Sequence, residues 1–274
     1  MLGEVAIICS RADPASLNIF EHLQRQGAWQ ERDGYSSLGR WRLIIHDEKP
    51  TALQGVDGLL ANLGLEPEAI VFACRHEAKA SLPWLGGHFT GVLEKGNREL
   101  SAAAPRGLCT FLRNVISLAP PNFAISAEAT HHGPTDVATP CFFAEIGSTP
   151  LQWRNDMAGE AVARAILSIK PDTDQRELPV FLGFGGGHYV QRQTELLFNA
   201  EIAFGHLFSS YQVGELDGEI IEEARRKSGA CYAYLDRKSL RSEQRKGLVG
   251  LLEELDLPML KSKEIRDKFP SGKS

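Results

Sequence analysis

Short runs of β-branched and aromatic residues alternate with amphipathic segments of helical period along this chain, and that alternation restricts its fold more than any other feature. Glu4 to Cys9, Trp41 to His46, Ile70 to Cys74, Phe123 to His131, Cys141 to Ile146, Val180 to Gly183, Ile202 to Phe208 and Cys231 to Leu235 have the content of strands. Ala15 to Gln26, Pro105 to Ser117, Pro150 to Ile169, Gln191 to Ala200, Glu219 to Lys227 and Ser239 to Leu255 read as helices. Alternation of this kind predicts an α/β fold, a single domain over residues 1–274 with a central, largely parallel mixed sheet flanked by helices on both sides. Such sheets carry their sites at the carboxyl ends of strands.

With 274 residues, 43% hydrophobic and 24% charged, the chain has enough apolar material for a sizeable core and is neither collagen-like, disordered nor coiled-coil. It contains no repeat, low-complexity tract or long linker. No apolar run is long enough for a membrane helix, and Met1 to Ser10 lacks the features of a signal peptide, so the expectation is a soluble cytoplasmic protein. Cys9, Cys74, Cys109, Cys141 and Cys231 are too scattered for a metal knuckle or a disulfide framework and read as reduced thiols, mostly in the core. The net charge of -5 argues against a general polyanion binder, but it is unevenly spread. Residues 221–274 hold 13 Lys/Arg and 9 Asp/Glu, so any nucleic-acid contact should favour this segment. Within it Lys238, Arg241 and Arg245 are spaced to share one face of the last long helix, opposite Leu248, Leu251, Leu252 and Leu255. That stripe is either a solvated face or a phosphate contact.

Histidine is the informative residue type. In Phe123 to His132, strand alternation puts Glu128 and His132 on one face and His131 on the other. Both histidines can serve one site only if the strand ends or bends there, which Gly133-Pro134 favours. Otherwise each bonds a backbone carbonyl. In Cys141 to Gly147, Phe142, Ala144 and Ile146 share one face and Phe143 shares the other with Glu145. A carboxylate in so apolar a strand needs a His, metal or Arg partner. Gly147-Ser148-Thr149 then turns into a helix with Thr149 as N-cap, Pro150 first and Gln152 completing a capping box, and the helix start can hold an anion near Ser148 and Thr149. Ser148 lacks the G-x-S-x-G elbow of a nucleophile. Gly185-Gly186-Gly187-His188 follows a strand and precedes a helix but fails the dinucleotide pattern, leaving either a plain turn or a loop that a substrate can approach closely. His206 lies in line with Ile202, Phe204 and Phe208, as core histidines do, although near a strand end. His76, His88, His131, His132, His188 and Glu145 together exceed what one zinc needs, and spacing alone does not choose among them.

Glu128-Ala129-Thr130-His131-His132-Gly133-Pro134-Thr135, Glu145-Ile146-Gly147-Ser148, Gly185-Gly186-Gly187-His188-Tyr189 and Gly205-His206 occur in an order and spacing that resembles the archaeal-type D-aminoacyl-tRNA deacylases, which have plant relatives. Cys74-Arg75-His76 and His88-Phe89-Thr90-Gly91 are weaker matches that depart from the family's pattern. The resemblance implies a fold similar to phosphorylase and peptidyl-tRNA hydrolase domains, zinc dependence, and hydrolysis of the ester between a D-amino acid and the 3′-terminal ribose of tRNA. It makes His188, His132 and Glu145 the catalytic candidates and His131, His132, Glu128 and His206 the metal candidates. Gly185, Gly186, Gly187, Ser148, Thr149, Lys238, Arg241 and Arg245 are then candidate substrate contacts, with D-aminoacyl-tRNA the partner and no membrane or obligate protein partner inferred. The residues alone support a His-rich, Glu-containing, glycine-lined site, compatible with metal-assisted hydrolysis or with His as general base. A zinc amidohydrolase or peptidase acting on small molecules, and a non-catalytic RNA-binding module, stay open at this point.

Overall fold

Val5–Ser10 (β1) is buried on both faces, with Val5, Ile7 and Cys9 in one hydrophobic cluster and Ala6 and Ile8 in another, as a central parallel strand requires. Our computed structural model describes residues 3–79, 81–94, 96–169 and 178–272. After β1 come α1 (Pro14–Arg25), the short strands β2 (Gln30–Arg32) and β3 (Tyr35–Leu38), β4 (Trp41–His46), α2 (Val56–Asn62) and β5 (Ala69–Glu77). Then follow β6 (Trp84–His88), the hairpin β7 (Gly91–Glu94) and β8 (Asn97–Leu100), α3 (Pro105–Leu118), β9 (Ala124–Ala127), β10 (Cys141–Ser148), α4 (Pro150–Trp153) and α5 (Asp156–Leu167). The remainder is β11 (Val180–Phe184), α6 (Gln191–Asn199), β12 (Ala203–Phe208), α7 (Gly218–Ser228), β13 (Tyr232–Leu235), α8 (Ser242–Glu254) and α9 (Ser262–Lys268).

The strands form an eight-stranded mixed sheet in the order β2-β3-β4-β1-β5-β10-β6-β9, a separate parallel sheet β12-β11-β13 and the β7-β8 hairpin. The large sheet is parallel across β4-β1-β5-β10, and β6 enters antiparallel to β10. Helices α1, α3 and α5 cover one face and α2 the other. The cluster under α1, α3 and α5 continues into the second sheet through Phe181, Phe204 and Phe208. The expected α/β architecture is present, but the last three strands form a sheet of their own rather than extending the central one. Among the described residues, no helix is long and apolar enough to cross a membrane, and the five cysteines are free, four of them buried.

Several expected boundaries move for local reasons. The helix expected over Pro150 to Ile169 is two helices, because Asn155 accepts the Ala158 amide and starts α5 afresh. The Thr149–Gln152 box is present, with Gln152 Oε1 accepting from the Thr149 amide at 3.2 Å. The strand expected to His131 stops at Ala127, after which the chain bonds to the second sheet's loops: Ala129 to the His188 carbonyl, Thr130 to that of Leu207. Strand β6 was hidden because its centre is Gly86-Gly87, which carries no strand propensity.

Phe72 of β5 and Phe143 of β10 stack at 4.8 Å between ring centroids, fully buried beneath the carboxyl ends of both strands. Phe72→Ala should cost about 3–5 kcal/mol in urea unfolding, by loss of burial and creation of a cavity. A loss below about 1 kcal/mol would mean that this layer repacks freely.

Candidate active site

Five structural elements bring polar side chains to one place. The carboxyl end of β5 supplies His76, β10 supplies Glu145, β6 supplies His88, and the segment after β9 supplies Glu128, His131 and His132. His188 reaches the same place from the loop after β11. In the large sheet His76 lies opposite Gly147, and a Cβ at Gly147 would come within 2.8 Å of the His76 ring, so glycine there is what lets the imidazole seat. Trp153 Nε1 holds the His76 carbonyl at 2.8 Å.

The three innermost histidines share one arrangement. His88 Nδ1 lies 3.0 Å from the Phe89 carbonyl, His131 Nδ1 2.8 Å from that of Ala129, and His132 Nδ1 2.6 Å from that of Gly133. A carbonyl only accepts, so each Nδ1 carries the proton and each Nε2 keeps its lone pair. The rings stand 4.0 to 4.6 Å apart between centroids. His132 takes φ +42, and this turn, together with the end of the strand at Ala127, brings two adjacent histidines to one site. Burial pushes all three toward the neutral form, His132 down to about 3.

Beside them are two buried carboxyl groups. Glu128 Oε1 is 3.0 Å from His188 Nε2 and 3.3 Å from His76 Nδ1, while Glu145 lies 3.6 Å from His88 Nε2 and 3.7 Å from His76 Nδ1. None of these contacts is an aligned hydrogen bond for Glu128: both its oxygens, Glu145 Oε2 and His88 Nε2 are buried without a hydrogen-bond partner. Burial, reinforced by Asp13, pushes the Glu145 carboxyl well above its usual range. Contact with Glu128 raises His188, whose side chain is 43% exposed, and burial lowers His76. Donor atoms of three overlapping sets, His88/His131/His132, His76/Glu128/His188 and His88/Glu128/Glu145, each lie within 4.8 Å of one another. Of these residues His76, His131, His132, Glu145 and His188 line an open cleft of about 380 Å³, whose wall also includes Asp13, Lys49 and Arg75.

This geometry has close sequence relatives. A sequence model of the D-aminoacyl-tRNA deacylases matches residues 63–260. A D-aminoacyl-tRNA deacylase of Methanothrix thermoacetophila is 45% identical over 265 residues, covering 97% of this chain and 99% of its own, and one of Methanosarcina acetivorans is 39% identical, covering 97% and 95%. The chain belongs to the D-aminoacyl-tRNA deacylase family. A crystal structure described as a conserved protein of unknown function superposes with a TM-score of 0.90 at 30% identity, covering 98% of both chains. The family match spans the clustered histidines, Glu128 and Glu145, and the resemblance carried by the His131-His132 and Gly-His motifs is borne out.

Not every residue singled out from the sequence lies in the cluster. His206 is fully buried with Nδ1 3.1 Å from Thr130 Oγ1 and Nε2 3.1 Å from the Ser101 carbonyl, so both nitrogens are engaged and it joins none of the donor sets. The expected role of His206 as a metal ligand is therefore corrected to a structural one. Ser148 is buried and donates to the Leu82 carbonyl, Thr149 is tied to Gln152, and neither lines the cleft; α4, with four residues, is too short to offer an anion site. In the glycine loop, the Gly185 amide donates to the Phe208 carbonyl and the Gly186 amide to Ser239 Oγ, so these two amides do not face a substrate. Lys238 lies in the turn before α8, Arg241 at its N-cap and only Arg245 within it, so the basic stripe is not one helix face. His76 and His88, left unassigned by the sequence, stand in the cluster, Arg75 was marked only by the weak Cys74-Arg75-His76 match, and Asp13 and Lys49 carried no local signal.

Three substitutions separate these roles. Gly186 holds φ +88 and is buried, while Gly187 is exposed with nothing within 4 Å of an added Cβ. Gly186→Ala should lose about 1–2 kcal/mol in urea unfolding and Gly187→Ala almost nothing; equal stabilities would mean that the loop relaxes. Burial holds His206 down to about 4, so its neutral form is favoured in the fold. The stability tied to it is full above about pH 6.5 and is lost as the pH falls toward 4. His206→Gln should cost about 1–3 kcal/mol at pH 7.5 and flatten that acid dependence. An unchanged acid dependence would mean that another group carries it.

Proposed function

We propose that this chain, as one domain over residues 1–274 acting in the cytoplasm, hydrolyses the ester between a D-amino acid and the 3′-terminal ribose of tRNA and releases both. The observation that carries this reading is the convergence of three bare imidazole nitrogens and two unpartnered buried carboxyl groups at an open cleft. Membership of the deacylase family supplies the substrate class.

The donor set fits zinc, because His88 Nε2 and the Glu128 oxygens are buried without a partner and the His131 and His132 nitrogens beside them are proton-free. His88, His131 and His132 would hold it with Glu128 at hand, and when bound it lowers the pKa of a water and polarises the ester carbonyl.

The chain's own groups divide the remaining work. His188 is the half-exposed imidazole of the cluster and faces Glu128 through Nε2. With Nε2 carrying the proton 3.0 Å from Glu128, Nδ1 takes a proton from the attacking water, and the Glu128 carboxylate stabilises the imidazolium that results. The same proton then passes to the ribose oxygen as the acyl bond breaks. Glu145 lines the cleft with a carboxyl whose protonated form burial favours, and in that form it can donate to the ester carbonyl, while burial favours neutral His132 beside it. At the rim, Gly186 and Gly187 border an adjoining cavity that a terminal nucleotide can approach. Lys238 contacts the tRNA backbone, whereas Arg241 and Arg245, at the start of α8, lie off that path; Gly185, Ser148 and Thr149 shape the loops behind.

D-tyrosyl-tRNA should be hydrolysed far faster than L-tyrosyl-tRNA, by differential binding of the two transition states. Zinc should copurify and be lost from His88→Ala and His131→Ala by metal analysis. His188→Ala should keep its zinc but lower kcat about 10²–10⁴-fold with little change in KM. Equal rates on both enantiomers would overturn the reading of the substrate; full activity in metal-free protein would overturn that of the metal.

A further inference from the structure

Three cavities adjoin one another along one edge of the molecule. The catalytic cleft shares His188 with a cavity of about 280 Å³ beside the glycine loop, and this shares Arg192 and Asp236 with a third of about 310 Å³. The third lies between the carboxyl end of β13 and the segment before α9, with Arg237 and Lys238 on one side, Lys261 on the other, and Met259 and Leu260 as an apolar wall.

Its charge is one-sided. Asp236 is buried and already engaged, 3.2 Å from Arg192 Nε and accepting the Lys238 amide. Arg237, Lys238 and Lys261 are exposed and have no ion-pair partner among the described residues. In a chain whose net charge is -5, this local surplus stands apart. A volume near 300 Å³ lies at the lower bound of ligand pockets, and cations beside an apolar wall suit a phosphate joined to a ribose and base. A free anion would fill only one of the cavities, whereas a strand with phosphates at regular intervals can occupy all three.

We propose that this third cavity holds a nucleotide of the single-stranded 3′ end of tRNA, upstream of the terminal adenosine, gripping its phosphate with Arg237, Lys238 and Lys261. The inference rests on the deacylase reading for its polymer, and it moves the strand's path away from α8: of the basic residues singled out in the sequence, only Lys238 lines the cavity. Contacts of this kind position the substrate without reading its sequence.

The test uses the full chain and the double variant Arg237→Ala/Lys261→Ala. The first probe is a fluorescein-labelled single-stranded RNA ending in CCA, titrated by fluorescence anisotropy over a salt series. The variant should bind more weakly, and its slope of log K against log salt should be shallower by about 0.7, the loss of one phosphate contact on a single strand. Lys261→Arg, which keeps the charge, should retain the wild-type slope. The second probe compares D-tyrosyl-tRNA with D-tyrosyl-adenosine, which ends before the third cavity: the variant should lose kcat/KM on the first and match the wild type on the second. An unchanged salt slope, or an equal loss on both substrates, overturns the cavity assignment. Should the wild type bind the RNA with the expected change of slope yet hydrolyse neither ester, the cavity stands and the deacylase reading falls.

Discussion

Two carboxyl groups, Glu128 and Glu145, are buried within the fold with oxygens that no protein hydrogen bond satisfies. An ionised carboxylate in such a place costs several kcal/mol unless a proton or a cation compensates it. The rest of the site is organised around that need. His76 and His188 stand against Glu128, and His76 and His88 against Glu145, so each carboxyl has imidazoles at ion-pair range. A fold under selection for stability alone would have no use for such a cluster, because apolar residues of similar volume would pack there at no electrostatic cost.

The imidazoles are prepared from outside the cluster. His88, His131 and His132 each spend the Nδ1 proton on a carbonyl of the adjoining backbone, which fixes the tautomer before any ligand arrives. Their orientation is consequently a property of the backbone, and the backbone is held by the junction of the two sheets. Ala129 and Thr130 bond to carbonyls around the second sheet, while His131 bonds to Phe89 of the first. The Gln212 amide closes on the Thr130 carbonyl at 2.7 Å. The segment after β9 thus bridges both sheets, and the second sheet shapes the cluster through this bridge as well as through His188. His206 belongs to the same support: buried and neutral, it braces Thr130 from below.

The charge distribution divides binding from chemistry. The interior of the site is rich in buried acid and neutral imidazole, whereas free cations stand on the rim near β13 and the start of α9. Separation of this kind lets a polyanion be held at a distance from carboxyl groups that would repel it. It also explains how an acidic chain can handle a nucleic acid: the surplus of positive charge matters only along the path that the strand takes.

The sequence by itself determined which runs become buried strands, because β-branched and aromatic residues on both faces leave β1, β4, β5 and β10 no other way to hide their surface. It also determined that Glu145 shares a face with Phe143 and needs a partner, that Thr149 and Gln152 start a helix, and that His131 and His132 meet only if the strand stops, since each follows from local periodicity and turn chemistry. Which partner Glu145 would have was not legible. His88 sits on a strand whose middle is Gly86-Gly87, and glycine carries no propensity to announce it; the strand exists because β10 and β9 supply hydrogen bonds on either side. His76 and His206 look alike as histidines among apolar strand residues, yet one faces two carboxyl groups and the other a threonine and a carbonyl. Pairing between strands far apart in the chain decides which side chains meet, and no local pattern encodes it; tertiary structure alone selected which histidines join the cluster.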